Sequence, residues 1–240
     1  AEEYSGNIAR IATLSRMMEI FFSEWLDRFI ENEFPECYVV FAGGDDLFII
    51  GPWNKIILLA IQIHHKFSEF TGNNPNVTLS CGISFSPVRL PVTFSAHGAE
   101  HSLDRAKDEH SFLETSGRDQ VCMFDHVMKW KNVDAVMDAA HKLMKWISEN
   151  KLTNGDIRRM RMYATMFDQY ISSGGLDIRG LRYVSHLTYD IGRKMSESKG
   201  MDKEVRKFME SLRDISQDSL IYHLGVACDY VLLMNRKKEG

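Results

Sequence analysis

Two carboxylates stand side by side at Asp45 and Asp46, directly behind two glycines, Gly43 and Gly44. Adjacent acids repel one another unless something positive joins them. A hard divalent cation, with phosphate oxygens in its remaining positions, suits such a pair. The glycines permit a tight reversal, because a residue without a Cβ tolerates positive φ, and they let a ligand approach the backbone. An ordinary hairpin turn uses the same residue types. The flanks favour the site: Val39 to Ala42 and Leu47 to Ile50 are apolar, β-favouring runs, so the acids are aimed outward from the end of a buried sheet.

Other residues have weaker claims to chemistry. Lys107, in Leu103-Asp104-Arg105-Ala106-Lys107, falls late in a helix, where an ammonium reaches phosphate at the tip or simply faces solvent. Arg105 and Arg118 have the same two readings with less force. Ser15, among large apolar residues, lines a nucleotide pocket or bonds back to the preceding helical turn. His64 and His65 are helical neighbours pointing about 100° apart, which does not make a metal pair. His126 follows Asp125 in the order Asp-His, not the His-Asp order of a metal phosphohydrolase.

The elements that must position the tip follow from periodicity. A helix runs from Asn7 to about Asn32, with an apolar stripe at Ile8, Ile11, Leu14, Met17, Met18, Phe21, Phe22, Trp25, Leu26 and Phe29 that reads as core. Strands are expected over 37–42 and 46–51, a helix from Trp53 to about Phe70 opened by Pro52, and a strand from Val77 to Phe85 in which Gly82 marks a bulge or close packing. A helix over about 93–113 and a short strand over 120–124 complete this part. From about residue 130 only helices are expected, over 132–149, 154–172, 178–197, 202–213 and 216–236. The order helix, hairpin, helix, strand, helix, strand is that of a ferredoxin-like palm lacking its first strand. The expected fold is therefore α+β, a palm over residues 1–126 followed by an all-α helical bundle over 127–240.

Composition sets bounds. The chain has 240 residues, enough for one large domain or two modest ones. Its net charge of −4 is unevenly spread: by counting Lys, Arg, Asp and Glu, residues 1–126 carry −9 and residues 127–240 carry +5. Two modules with different partners are implied. There is no apolar run of membrane-spanning length and no signal-peptide pattern at the N-terminus, so a cytoplasmic location without membrane contact is expected. Cys37, Cys81, Cys122 and Cys228 are widely spaced. The first three fall on expected strands and the last on a helix, and all read as buried free thiols of a reducing compartment. The basic tail Arg236-Lys237-Lys238 says little alone.

The stretches from Ile8 to Met17 and from Tyr38 to Trp53, with Ala106-Lys107 and then Gly117 to Val121, resemble the large subunit of type III CRISPR effector complexes, above all the Csm-type (III-A) version. Diguanylate cyclases share the palm ending. The resemblance implies a second palm whose Gly-Gly-Asp-Asp converts ATP into cyclic oligoadenylates when the complex binds target RNA. It implies that Asp45 and Asp46 hold Mg²⁺ or Mn²⁺, that Gly43 and Gly44 shape the phosphate site, that Ser15 touches ATP and that Lys107 contacts phosphate. Implied partners are the other subunits of the complex, including a small helical subunit docked on the helical domain, and guide and target RNA. The first palm, the strand before residue 7 and the HD nuclease domain of that family find no counterpart, so the chain alone is expected to make no cyclic product. A diguanylate cyclase would need Glu at 46. A degenerate scaffold palm would not need both acids.

Overall fold

The computed structural model of the protein describes residues 12–44, 46–109, 117–196, 200–216 and 219–236. Asp45, the start of the first helix at Asn7, the expected helix end near Leu113 and the tail beyond Arg236 lie outside the described residues. The chain divides into two compact units, Ala1–Leu103 and Asp104–Gly240.

The first unit is built on α1 (residues 12–33), β1 (Tyr38–Gly43), β2 (Asp46–Ile50), α2 (Trp53–Phe70) and a short β3 (Cys81–Gly82). α3 (Val92–Asp108) runs across the division. Phe21, Phe22, Leu26 and Ile30 of α1 pack with Leu59, Ile63 and Phe67 of α2, and Val39, Leu47 and Ile49 of the hairpin lie against them. Aromatic rings dominate: Phe21 meets Phe22 edge-on at 5.1 Å and Phe67 at 5.3 Å, a favoured geometry for ring quadrupoles. α2 begins at Trp53, after Pro52, and ends at Phe70, as the sequence predicts.

Three expectations for this unit are corrected. α1 is not uniform: Ile20–Trp25 is a π-helical segment. The wider turn re-phases the apolar stripe, so Leu14, Met17 and Trp25 are exposed while Phe21 and Phe22 are buried. The strand expected from Val77 to Phe85 is reduced to Cys81–Gly82. Cys37 is buried just ahead of β1 rather than on it, and Cys81 is only partly buried.

After the end of α3, the second unit has an antiparallel hairpin, β4 (Gln120–Met123) and β5 (His126–Lys129). Sequence periodicity misses β5, because His-Val-Met-Lys carries no strong alternation. Phe124 and Asp125 form its two-residue turn, both at positive φ (52° and 61°), the pattern of a type I′ connection. Arg105 clasps that turn through the Asp125 carboxylate and is itself paired with Glu109 at 2.5 Å. Gln120, 1% exposed, donates its carboxamide N–H groups to the Ala106 and Glu109 carbonyls at 3.1 and 2.9 Å, satisfying the open end of α3.

The remainder is helical: α4 (Trp130–Ser148), α5 (Asn154–Ser172), α6 (Tyr183–Ser196), α7 (Lys203–Ser211) and α8 (Leu224–Arg236). Single 3₁₀ turns, Ile178–Arg182 and Leu220–Tyr222, precede α6 and α8 where the sequence predicts continuous helix. α5 is the central element. Its Thr153 cap and Asp156 form a reciprocal capping box, and its Phe167 ring packs on Tyr183 at 5.6 Å and Tyr222 at 4.8 Å. The architecture is thus an α+β part in ferredoxin-like palm order, followed by an all-α bundle.

Candidate functional site

The acidic tip is set by the register of β1 and β2. Ala42 pairs with Leu47 and Gly43 with Asp46, leaving Gly44 and Asp45 as a two-residue connection. Gly44 has φ 63°, the left-handed conformation that a primed hairpin turn demands and glycine supplies without strain.

β2 alternates strictly, and its Leu47 and Ile49 face the helices. Asp46 and Phe48 therefore belong to the opposite face, turned away from α1 and α2. β1 has no alternation of its own. A register shift between Val39 and Phe41 inserts one extra residue, and this bulge puts Val39 and Ala42 on the helix side and Phe41 and Gly43 with Asp46 on the other. Phe41 is 54% exposed, and its ring lies 3.1 Å from where a Cβ on Gly43 would stand. A side chain at 43 would crowd that ring.

Among the described residues, the exposed Asp46 carboxylate has no hydrogen-bond or ion-pair partner. A carboxylate left uncommitted beside a bare glycine turn fits a hard cation by donor chemistry. No cluster of three or more His, Cys, Asp or Glu capable of holding a metal occurs among the described residues, so a site here would draw on Asp45 and on oxygens of the ligand. Ser15 is exposed on α1. Lys107 is exposed on α3, in the second unit, with no ion-pair partner among the described residues. Arg105 is committed to Glu109 and Asp125, and Arg118 sits at φ 68° with its carbonyl accepting from Lys129 Nζ at 2.7 Å. Both serve the local fold. The structure thus gathers Gly43, Gly44 and Asp46 at one tip.

Sequence reasoning misses a second polar group. His126 Nε2 lies 3.0 Å from His223 Nδ1, and His223 Nε2 lies 3.0 Å from Asn132 Nδ2. Burial, then Arg161 and Arg105, lowers His126 to about 4. Burial, then His126 and Lys131, lowers His223 to about 3. Both rings are neutral near pH 7. Residues 97 positions apart leave no local signal.

A hairpin whose acidic tip projects from the sheet face opposite its helices defines a palm. The family model described as Cas10/Cmr2, second palm domain, matches residues 2–122, half of the chain, and the chain belongs to that family. It is 35% identical over 117 residues to the Cas10/Csm1 single-strand-specific deoxyribonuclease (subtype III-A) of Thermococcus onnurineus (strain NA1), covering 42% of this chain and 15% of the relative. Against the Streptococcus thermophilus protein of the same description, identity is 32% over 124 residues, covering 51% of this chain and 16% of the relative. The matched stretch thus spans about a sixth of the relatives' length. A solved Csm1–Csm4 cassette in complex with cA3 shares the fold at TM-score 0.64 and 22% identity, over 93% of this chain and 32% of that one. Among the described residues, no helix is long and apolar enough to cross a membrane.

Proposed function

We propose that the tip from Gly43 to Asp46 is the metal- and nucleotide-binding edge of a palm that joins ATP into cyclic oligoadenylates within a type III-A CRISPR effector complex activated by target RNA. The observation that carries this reading is the uncommitted Asp46 carboxylate beside Gly44, on the sheet face opposite the helices. Asp45 and Asp46 would hold Mg²⁺ or Mn²⁺, which when bound neutralises phosphate charge and favours an ionised ribose hydroxyl. Gly43 and Gly44 leave the backbone open to the triphosphate. Ser15 supplies a hydroxyl to the nucleotide. In the reaction a ribose hydroxyl oxygen bonds to an α-phosphorus, the bond to the β-phosphate bridging oxygen breaks, and pyrophosphate leaves with that electron pair while the hydroxyl proton passes to solvent.

The palm spans residues 1–126 and the helical domain residues 127–240, the latter docking a small helical subunit near the guide–target duplex. A cytoplasmic location follows from that assembly. The test is D45A/D46A in the effector complex assembled with this protein, given target RNA, ATP and Mn²⁺. Product should fall at least 100-fold by chromatography, with complex assembly unchanged. Undiminished product would show the palm to be a scaffold. The 240-residue chain alone should make no cyclic product.

A further inference from the structure

The helical unit carries a cleft where the start of α5 meets the end of α8, lined by Asn154 and Arg158 from the one and Leu232, Asn235 and Arg236 from the other. Asn235 Nδ2 donates to Asn154 Oδ1 at 2.8 Å, which fixes the two helix ends against each other. Among the described residues, that bond leaves the Asn154 amide group and one Asn235 N–H free to donate. Arg158 and Arg236 are both exposed, and neither has a hydrogen-bond or ion-pair partner among the described residues.

Nearby carboxylates on these helices are already committed. Asp156 is held by Lys194 at 2.7 Å and Arg159 at 2.5 Å, and Asp229 by Arg161 at 2.8 Å. The ends of α5 and α8 carry opposite dipole charges that largely offset each other. The surplus in the cleft is therefore two guanidinium groups and the free carboxamide donors, with Leu232 as an apolar wall.

We propose that this cleft binds a phosphodiester group of a polynucleotide. Guanidinium forks pair with phosphate oxygens two at a time, and donors arriving from two helices suit an anion that accepts in several directions better than a planar carboxylate. The excess of basic residues in 127–240 points the same way, since a polynucleotide is drawn to a whole positive surface and positioned by its specific contacts. The inference does not depend on the acidic tip.

The test measures binding of a labelled 20-nucleotide single-stranded RNA to the 240-residue chain by fluorescence anisotropy across a salt series. The R158Q/R236Q variant should bind roughly tenfold more weakly at 0.1 M salt. Its slope of log affinity against log salt should be shallower by about 1.4, at about 0.7 per lost single-strand phosphate contact. K207Q/R213Q, which removes the same charge from exposed positions on and just beyond α7, should match the unsubstituted chain within about twofold in this salt-dependent binding. Circular dichroism checks that each variant is folded. Equal losses in the two variants would reduce the effect to net charge and overturn the site. So would an unsubstituted chain that does not bind the RNA at 0.05 M salt. Polyglutamate binding as tightly and losing as much in R158Q/R236Q would overturn the assignment to phosphate. Displacement of the RNA by ATP at equal phosphate concentration would overturn the assignment to a polynucleotide.

Discussion

The imidazoles of His126 and His223 face each other across 3.0 Å, one at the head of β5 and the other just before α8. Burial keeps both neutral, reinforced at His126 by Arg161 and Arg105 and at His223 by His126 and Lys131. Glu109 and Asp125 oppose this only weakly.

Stability should fall with acidification. An unfolded histidine takes up its proton near pH 6.5, whereas the folded pair resists until about pH 4 and 3. The unfolded chain therefore binds more protons throughout that window, and stability is lost as the pH drops through it and is fully present above about 6.5. Down to pH 4 the loss is on the order of 6 kcal/mol, about half from each ring, or roughly 12–24 °C in Tm. Thermal melts from pH 7.5 to 4 should show this drop, and H126Q/H223Q should show a markedly flatter profile. Parallel profiles would assign the acid sensitivity to carboxylates elsewhere.

Gly82 should tolerate nothing larger. A Cβ there would lie 2.2 Å from the Leu103 backbone nitrogen and 2.4 Å from the Ala99 carbonyl oxygen, and neither is the movable end of a side chain. G82A should cost about 3 kcal/mol or more by denaturant titration. G192A makes the contrast: a Cβ at this exposed position in α6 meets nothing within 4 Å, and the change should stabilise by up to about 1 kcal/mol. A mild G82A would mean that β3 and α3 can separate at little cost.

Asp168 carries a burial penalty. Its carboxyl is pushed up to about 6 by burial, against the partial relief of Arg161. A raised folded pKa means the folded state holds its proton more tightly, so the penalty is complete above about pH 6 and vanishes toward pH 4. D168N should therefore raise Tm by about 2–5 °C at pH 7.5, and the gain should disappear at pH 4. A gain that persists at pH 4 would have another origin.

Asp156 behaves in the opposite sense. Burial alone would raise its pKa, but Lys194 and the Thr153 bonds hold it below the usual carboxylate range. D156A removes the capping box and strands a largely buried Lys194. It should cost about 3–5 kcal/mol, whereas T153A, losing the cap alone, should cost about 1 kcal/mol. Equal losses on urea titration would show that the Lys194 pair contributes nothing.

Much of the site's frame is legible in the sequence, because its signals are local. Val39 to Ala42 and Leu47 to Ile50 enclose a turn of unmistakable composition, and Pro52 with Thr71-Gly72 brackets α2. What escapes is set by tertiary structure. β5 is fixed by pairing with β4 and by the Arg105 clasp at Asp125, not by its own composition. The π segment of α1 leaves an apolar spacing that a regular helix shares. Arg105 looks like a phosphate ligand until Glu109 and Asp125 occupy it. Arg158 and Arg236 converge only because two helix ends do.

The extra residue in β1 also makes the hairpin unequal in what it can absorb. With no alternation to preserve, β1 holds slack: losing or gaining one residue there alters the bulge and little else. β2 has none. One residue inserted between Asp46 and Ile49 would transpose the acid to the helix side and drive an apolar neighbour outward. The sidedness of the tip is thus guarded by one strand alone.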